Sequence, residues 1–490
     1  MASPNTSTNT NGSTNGGTDT NASANSNSNW TTTEPLTVAI IGSGIIGTVL
    51  ALGLASRNIP VKIYEQSGSH RTIGAGIAFT ANARECLSRI DPRLEECVTR
   101  VATVNGDPGD PNHCMQFVDG YSHDPTLNRG VGSEMGGRKV YRLHAGKRGF
   151  EGCHRAEFLG DVLGILPEGV VEWGRRVERY VLPEEDGDGR DEGGKVKLVF
   201  YDGGTAEADV VIGCDGIKSR IRQLLFRDTP ISNPSYTHKI AFRGLIPMAL
   251  AISTLGKYRA TNQHMYGGPG AHVLHFPVAG QKLMNVVAFV HDPAEWPLSR
   301  NMTQPASASE LKGAFEKWGP TVRAIIELLT VSEGLDKWAV FDHFEYPAPY
   351  YAPPLGETGA GRVCIAGDAA HASSPHHGAG AGIGVEDALA LCTALEKARD
   401  EIGSGVRGKK EALSAALGAY SNVRLERSQW LVRSSREVCG TYEWVNPEIG
   451  PDLERGFEDV KERSHKIWYF DIDGMLGEVE EGYCRLVEAV

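Results

Sequence analysis

The sequence predicts an α/β protein: a parallel-sheet domain at the N-terminal end, an antiparallel sheet inserted into it, and helices at the C-terminal end. Three observations carry this expectation. A β-rich run, LTVAII (36–41), leads through a glycine turn and a helix-like stretch to a second strand. Residues 238–290 hold three runs rich in β-branched and aromatic residues, split by Gly- and Pro-bearing turns. Residues 409–445 read as one or two long helices. The expected divisions are a low-complexity terminus at 1–33, a discontinuous first domain at 34–225 and 355–400, an inserted domain at 226–354, and a helical region at 401–490.

The terminus MASPNTSTNTNGSTNGGTDTNASANSNSNW is nearly uncharged and lacks apolar side chains to bury, so it is expected to be disordered. It has neither the basic start and apolar core of a secretory signal nor the arginines of a transit peptide. No 18-residue apolar run occurs, so no membrane span is expected. The remaining bulk, at 40% apolar and 22% charged residues, suits one large or two medium globular domains. A net charge of -12 argues against a nucleic-acid binder and favours small-molecule chemistry. Nine cysteines without a CxxC pair give neither a disulfide framework nor a zinc site, which suits a reducing, cytoplasmic compartment.

After LTVAII comes GSGIIG, with Gly42, Gly44 and Gly47 in GxGxxG register, then the helix-like TVLALGLASRN and the strand VKIYEQ containing Glu65. Glycines let backbone approach a pyrophosphate at a helix N-terminus, and an acid at the end of the second strand takes ribose hydroxyls. A Rossmann-like dinucleotide unit is therefore predicted, the alternative being a bare glycine turn. Glu65 favours an unphosphorylated ribose, hence FAD or NAD. There is no second GxGxxG followed by a helix.

Two more strands end in aspartate. ADVVIGCDGIKSRIR (208–222) runs into Asp215, Gly216 and a basic turn with Ser219 and Arg222, and GRVCIAGDAAH (361–371) runs into Gly367 and Asp368. Either alone could be a simple strand-to-helix turn; beside the N-terminal unit they point to flavin. SPHHGAGAGIG (374–384) follows, with two histidines and four glycines at alternate positions. A metal site, a phosphate cradle and a cofactor lid all suit it at first sight. Adjacent histidines in an extended loop point apart and the glycines miss GxGxxG register, so no metal is expected and no second phosphate loop.

Within HKIAFRGLIPM (238–248), Arg243 stands inside an apolar strand. Such a cation needs an anionic or hydrogen-bonding partner, since leaving it unpaired costs several kcal/mol by general desolvation arguments, of order ~3 or more. A buried salt bridge, a surface-facing position and a clamp for a bound anion are all compatible with this. The acidic stretch 184–194 reads as a hairpin loop.

Taken together, GSGIIG, CDGIKSRIR, GDAAH and VEDA, in this order, resemble the FAD-dependent aromatic hydroxylases related to para-hydroxybenzoate and salicylate hydroxylase, from residue 36 to the C-terminal region. The family's HR-x-x-L signature appears as His154-Arg155-Ala156-Glu157-Phe158. GAGIAFTANA, HKIAFRGLIPM, PHHGAGAGIGVEDAL and ERSHKIWYFD are similar to fungal members that dearomatise polyketide phenols. The resemblance implies a Rossmann-like FAD-binding domain with Asp368 on the ribityl chain, and Arg155 as a flavin-side contact. It puts Asp215 where NAD(P)H meets flavin, and Gly76 and Ala78 along the isoalloxazine edge. Ala81-Asn82 replaces the Pro-Asn of many relatives. Pro375 would stand beside the ring, with Gly378 to Gly382, including Ala381, opening a helix whose N–H groups face reduced flavin; His376 and His377 receive no role.

The same resemblance implies catalysis on a small phenolic substrate with NAD(P)H and O2. A phenol reacts with an electrophilic oxygen donor faster as its anion, so Arg243 is expected to clamp a phenolate. Dearomatising relatives pair that arginine with a tyrosine, which aligns to Phe276 here; Tyr266 or His275 is the candidate for the missing hydrogen bond. Hydroxylation with loss of aromaticity is the favoured outcome. A decarboxylating salicylate-type hydroxylase and an inactive dinucleotide-binding regulator are the alternatives. Either a monomer or a homodimer is compatible with the sequence.

Overall fold

LTVAII becomes the strand Val38–Ile41, wholly buried, and GSGIIG turns it into the helix Ile45–Ser56 before the chain returns as the strand Val61–Glu65. The computed structural model describes residues 34–70, 76–110, 112–122, 140–145, 149–183, 194–227, 229–331 and 335–489; the N-terminal 1–33 and most of the acidic stretch lie outside them. Five strands form the parallel sheet, in the order Val363–Ile365, Val210–Gly213, Val38–Ile41, Val61–Glu65, Val171–Trp173. The two aspartate-bearing strands thus lie side by side next to the glycine-turn strand. All three end at the same edge, as the parallel βαβ arrangement requires.

The three runs of the middle segment are the strands Ser235–Pro247, Ala271–Val278 and Leu283–His291, paired antiparallel. They are the centre of a larger, eight-stranded sheet. At one end it gains Asp336–Asp342 and Thr303–Pro305; at the other it gains His264–Gly268, His113–Asp119 and Val140–His144. His113–Asp119 joins parallel to His264–Gly268, so segments from both sides of residue 226 build one sheet.

Cross-strand register defines two faces, because successive side chains alternate. One face carries the row Leu245, Asn285, Phe276, then Arg243, Val287, Leu274, then Ala241, Phe289, His272. The other carries Phe242, Val286 and Val273 with Tyr266 and packs against the helix Pro320–Thr330 in a separate apolar core. The C-terminal region is a single helix, Lys409–Tyr442, followed by Leu453–Trp468 and Ile472–Glu488. Among the described residues no helix is long and apolar enough to cross a membrane.

Candidate active site

The three glycines of GSGIIG are required for different reasons. Gly42 has φ +102°, and a Cβ there would stand 2.6 Å from the carbonyl oxygen of Cys214. At Gly47 it would fall 2.1 Å from the carbonyl oxygen of Gly42. Gly44 is the opposite case: no atom lies within 4 Å of its missing Cβ, so the space beside it is open. Gly44 also precedes a helix with no side-chain cap, leaving first-turn N–H groups for an anion. Glu65 closes the loop by accepting from the Ser43 N–H (2.9 Å), Ser43 Oγ (3.0 Å) and Ser67 N–H (2.8 Å). Burial opposes its ionisation, but those donors hold its pKa below the usual range.

Gly76 and Ala78 form a short strand paired with Glu151–His154, which places Gly76 opposite His154 and next to Arg155 at the start of the helix Arg155–Ile165. A Cβ on Gly76 would meet the Phe276 ring at 2.7 Å and the Asn285 amide carbon at 3.2 Å. The sheet face bearing Arg243 therefore docks directly on this strand, with Ala78 and Leu245 packed against the Phe150–Phe276 cluster. Asp368 is exposed yet crowded by protein: desolvation raises its pKa, while His371 and Arg155 pull it down. Its carboxylate is exposed with Arg155 and His371 close by.

Asp215 turns onto its own chain, accepting from Ser219 Oγ (2.5 Å) and the Arg220 N–H (2.6 Å); burial still pushes its pKa up. Arg222, fully buried, donates to the carbonyls of Ala369 (3.1 Å) and Ala370 (2.8 Å), tying the CDGIKSRIR turn to GDAAH. Burial brings its pKa down to about 10.

The pair Glu386-Asp387 in VEDA, absent from the sequence-based site, connects the remaining pieces. Asp387 accepts from the Gly367 N–H (3.0 Å), His371 Nε2 (2.5 Å) and Arg424 Nε (2.9 Å), and Glu386 accepts from Asn82 (2.7 Å), Arg424 (2.7 Å) and Arg427 (2.9 Å). Burial opposes the Asp387 charge, but His371 and Arg424 hold its pKa below the usual carboxylate range. Both acids belong to the helix Gly380–Gly403, whose first turn holds Ala381 and Gly382 and has no side-chain cap. Gly378 before it has φ +64° and open space around it.

On the facing sheet, Arg243 is half-buried, with its guanidinium carbon 4.2 Å from the centre of the Trp338 ring. Burial lowers its pKa to about 10, which leaves it charged at neutral pH. It makes no ion pair or hydrogen bond among the described residues, so the salt-bridge alternative does not hold there. Phe276 is one cross-strand row away on the same face. Tyr266 is not: it stands on the other face, bonded to His275 (3.3 Å) and packed in the helix-backed core. Strand alternation removes both Tyr266 and His275 from the vicinity of Arg243. Its face also carries Asn285, 3% exposed and unbonded through its side chain among the described residues, Asp336 directly opposite Arg243 on the neighbouring strand, and His272.

The nitrogens of His272 and His376 and the Cys439 sulfur lie within 4.8 Å of one another. Hydrogen bonding already links the two rings, His376 Nδ1 to His272 Nε2 at 3.3 Å. His377 instead bonds Ser434 (2.9 Å), so the adjacent histidines do point apart.

Comparison with known proteins decides the family. The FAD-dependent monooxygenase pigN of Monascus ruber is 48% identical over 460 residues, covering 94% of this chain and 99% of its own. The chain belongs to the FAD-dependent monooxygenases. A salicylate hydroxylase, asL1 of Sarocladium schorii, is 43% identical across 92% of this monooxygenase and 91% of the relative. A profile described as FAD binding domain matches residues 356–435. A solved salicylate hydroxylase in complex with substrate has a TM-score of 0.73 at 29% identity, covering 91% of this chain and 98% of that one.

The residues present fit FAD. The space beside Gly44 is open at an uncapped helix, a second uncapped helix begins at Gly380, and Asp368 offers an exposed carboxylate. Arg222 and Arg424 thus tie together the sequence-distant pieces expected to hold FAD.

Proposed function

We propose that this monooxygenase hydroxylates a phenolic polyketide with loss of ring aromaticity, in secondary metabolite biosynthesis, using NAD(P)H and O2. The observation that supports this most is the half-buried Arg243 guanidinium, charged, without an ion-pair partner among the described residues, and facing the strand Gly76–Ala78. Such a group is suited to an anion that the protein itself does not supply.

FAD, when bound, supplies the electron transfer from NAD(P)H to O2 and the delivery of one oxygen atom. Gly42, Gly44, Gly47 and Glu65 would hold its nucleotide half, and Arg155, Asp368, Ala381 and Gly382 the remainder, with Gly76 and Ala78 along the ring and Asp215 at the nicotinamide side. The chain then has three tasks. Arg243 orients the phenol and lowers its pKa by charge. Asn285 presents an amide on the same face where relatives carry tyrosine nearby. Phe276, Leu274, Leu245 and Val287 exclude water.

The test is NADPH consumption with product mass, against a panel of acylated resorcinols. A dienone retaining every substrate carbon is expected. A salicylate-type decarboxylation is the second reading, favoured by the names of asL1 and the solved neighbour; a catechol with CO2 release would establish it instead. Arg243→Gln should keep bound FAD and lose substrate-stimulated oxidation, and unchanged turnover would remove Arg243 from the site.

A further inference from the structure

The loop that opens the helix Gly380–Gly403 brings His376 to the end of a buried hydrogen-bond chain. His376 Nδ1 lies 3.3 Å from His272 Nε2, and His272 Nδ1 lies 3.1 Å from Glu443 Oε1. Glu443 and His272 are fully buried, and Glu443 also pairs with Lys239. An ionised carboxylate only accepts, so it dictates every proton along the chain. His272 must donate from Nδ1, which leaves its Nε2 as acceptor. His376 must then donate from Nδ1, which leaves a bare lone pair on its Nε2. No hydrogen bond to that nitrogen occurs among the described residues.

We propose that His376 Nε2 is the base that removes the substrate's phenolic proton, with His272 and Glu443 as positioning residues. This rests on the phenolate reading of Arg243. The position suits it: the His376 ring packs 4.8 Å from Phe289, on the Arg243 face of the sheet. Phe289 is two residues from Val287, the partner of Arg243, or about 7 Å along the strand. Arg243 and His376 thus stand against successive same-face positions of one strand, Val287 and Phe289.

The surroundings keep His376 unprotonated until a phenolate forms in front of it to offset them. Burial, then His272, Lys239, His377 and Arg436, push the pKa of His376 well below its ordinary value, so the imidazole is neutral before substrate enters. Burial lowers His272 likewise. Burial works against the Glu443 charge, but His272 and Lys239 outweigh it and keep a carboxylate. Cys439 is raised by burial and remains a thiol, and Arg436 is already paired with Asp342. In the step itself the phenol O–H bond breaks, its electron pair stays on oxygen, and the proton binds His376 Nε2. The imidazolium then has the phenolate in front and the Glu443 carboxylate behind, which stabilises it.

The experiment mixes FAD-loaded protein, without NAD(P)H, with 2,4-dihydroxybenzaldehyde at a pH below the probe's own phenol pKa, and follows phenolate absorbance by stopped flow. His376→Gln should slow the rise at least tenfold, general bases contributing roughly 10²–10⁴-fold, while bound FAD is retained. Glu443→Gln should slow it less and move the acid limb of the rate profile to lower pH, which loss of packing would not do. Added imidazole should restore His376→Ala. A His376→Gln rate within about twofold of wild type overturns the proposal, on the same scale of base catalysis. So does one bound zinc-like ion per chain that disappears in His272→Ala, since the lone pairs would then be coordinated. If Arg243→Gln forms the band normally, or the wild type forms none, the phenolate reading itself falls; loss in Arg243→Gln beside an unaffected His376→Gln sinks only the base.

Discussion

Replacing Arg424 by methionine tests the lock on the flavin groove. Its guanidinium is fully buried and reaches Asp387 at 2.9 Å, Glu386 at 2.7 Å and the Ile383 carbonyl at 3.3 Å. Removing one partner of a buried pair costs about 3–5 kcal/mol. Here each acid keeps another donor, His371 for Asp387 and Arg427 for Glu386, and methionine refills much of the volume. The lower end, about 3 kcal/mol, is therefore expected. With an unfolding entropy near 2.1 cal/mol/K per residue over Pro35–Val490, this is a fall of about 3 °C in Tm. Thermal scans with and without saturating FAD read it, and the holo form should lose more, because Asp387 anchors the Gly367 N–H beside Asp368. The folded pKa of Asp387 is depressed, so its share of stability is present above the unfolded carboxyl value near ~4 and vanishes as pH falls through the folded value. The gap between variant and wild type should thus narrow in acid. An equal or higher Tm for the variant at pH 7 would refute the reasoning and show that the ion pairs are net neutral.

Gly44→Ala should leave the apoprotein's stability unchanged and weaken FAD binding, because its Cβ enters open space, whereas Gly47→Ala should destabilise the apoprotein by about 1–3 kcal/mol by clashing with the Gly42 carbonyl; apoprotein melting plus FAD titration distinguishes them. His264, fully buried with a pKa brought down by burial to about 3, stays neutral in the fold while the unfolded imidazole protonates below ~6.5. The unfolded state then binds the extra proton, so about 2 kcal/mol of stability is lost between pH 6.5 and 5, and a urea midpoint that rises over that interval contradicts this. Tyr266→Phe should cost about 1 kcal/mol through its His275 bond and spare turnover. Asn285→Leu should lower turnover with folding intact, and the reverse ranking would put the site on the other sheet face.

The parts legible in the sequence are those whose logic is local. Glycine spacing and the acid at the end of the second strand identify the Gly42–Glu65 unit because a pyrophosphate turn is a short-range object, and alternating β-rich runs identify the three central strands. Faces of different strands are another matter. Arg243, Phe276 and Tyr266 all lie in recognisable strands, but which of them share a face depends on register, and the register places Tyr266 behind the sheet. Asn285 was hidden for the same reason: it looks like one polar residue in an apolar run until Phe276 and Leu245 are set beside it. The Glu443–His272–His376 chain joins residues 171 and 104 positions apart, and no spacing rule reaches that far.

The Glu386–Asn82 bond closes a loop of 304 residues, and Arg424, which braces Glu386, is encoded later still. A nascent chain that has just delivered GDAAH already possesses the GSGIIG glycines and Asp368, but Arg424 is still inside or behind the ribosome. The groove's brace is consequently among the last contacts this chain can form, and its high sequence separation makes it slow to form. Fragments ending near residue 400 lack Arg424 and should therefore hold FAD more weakly than the full chain.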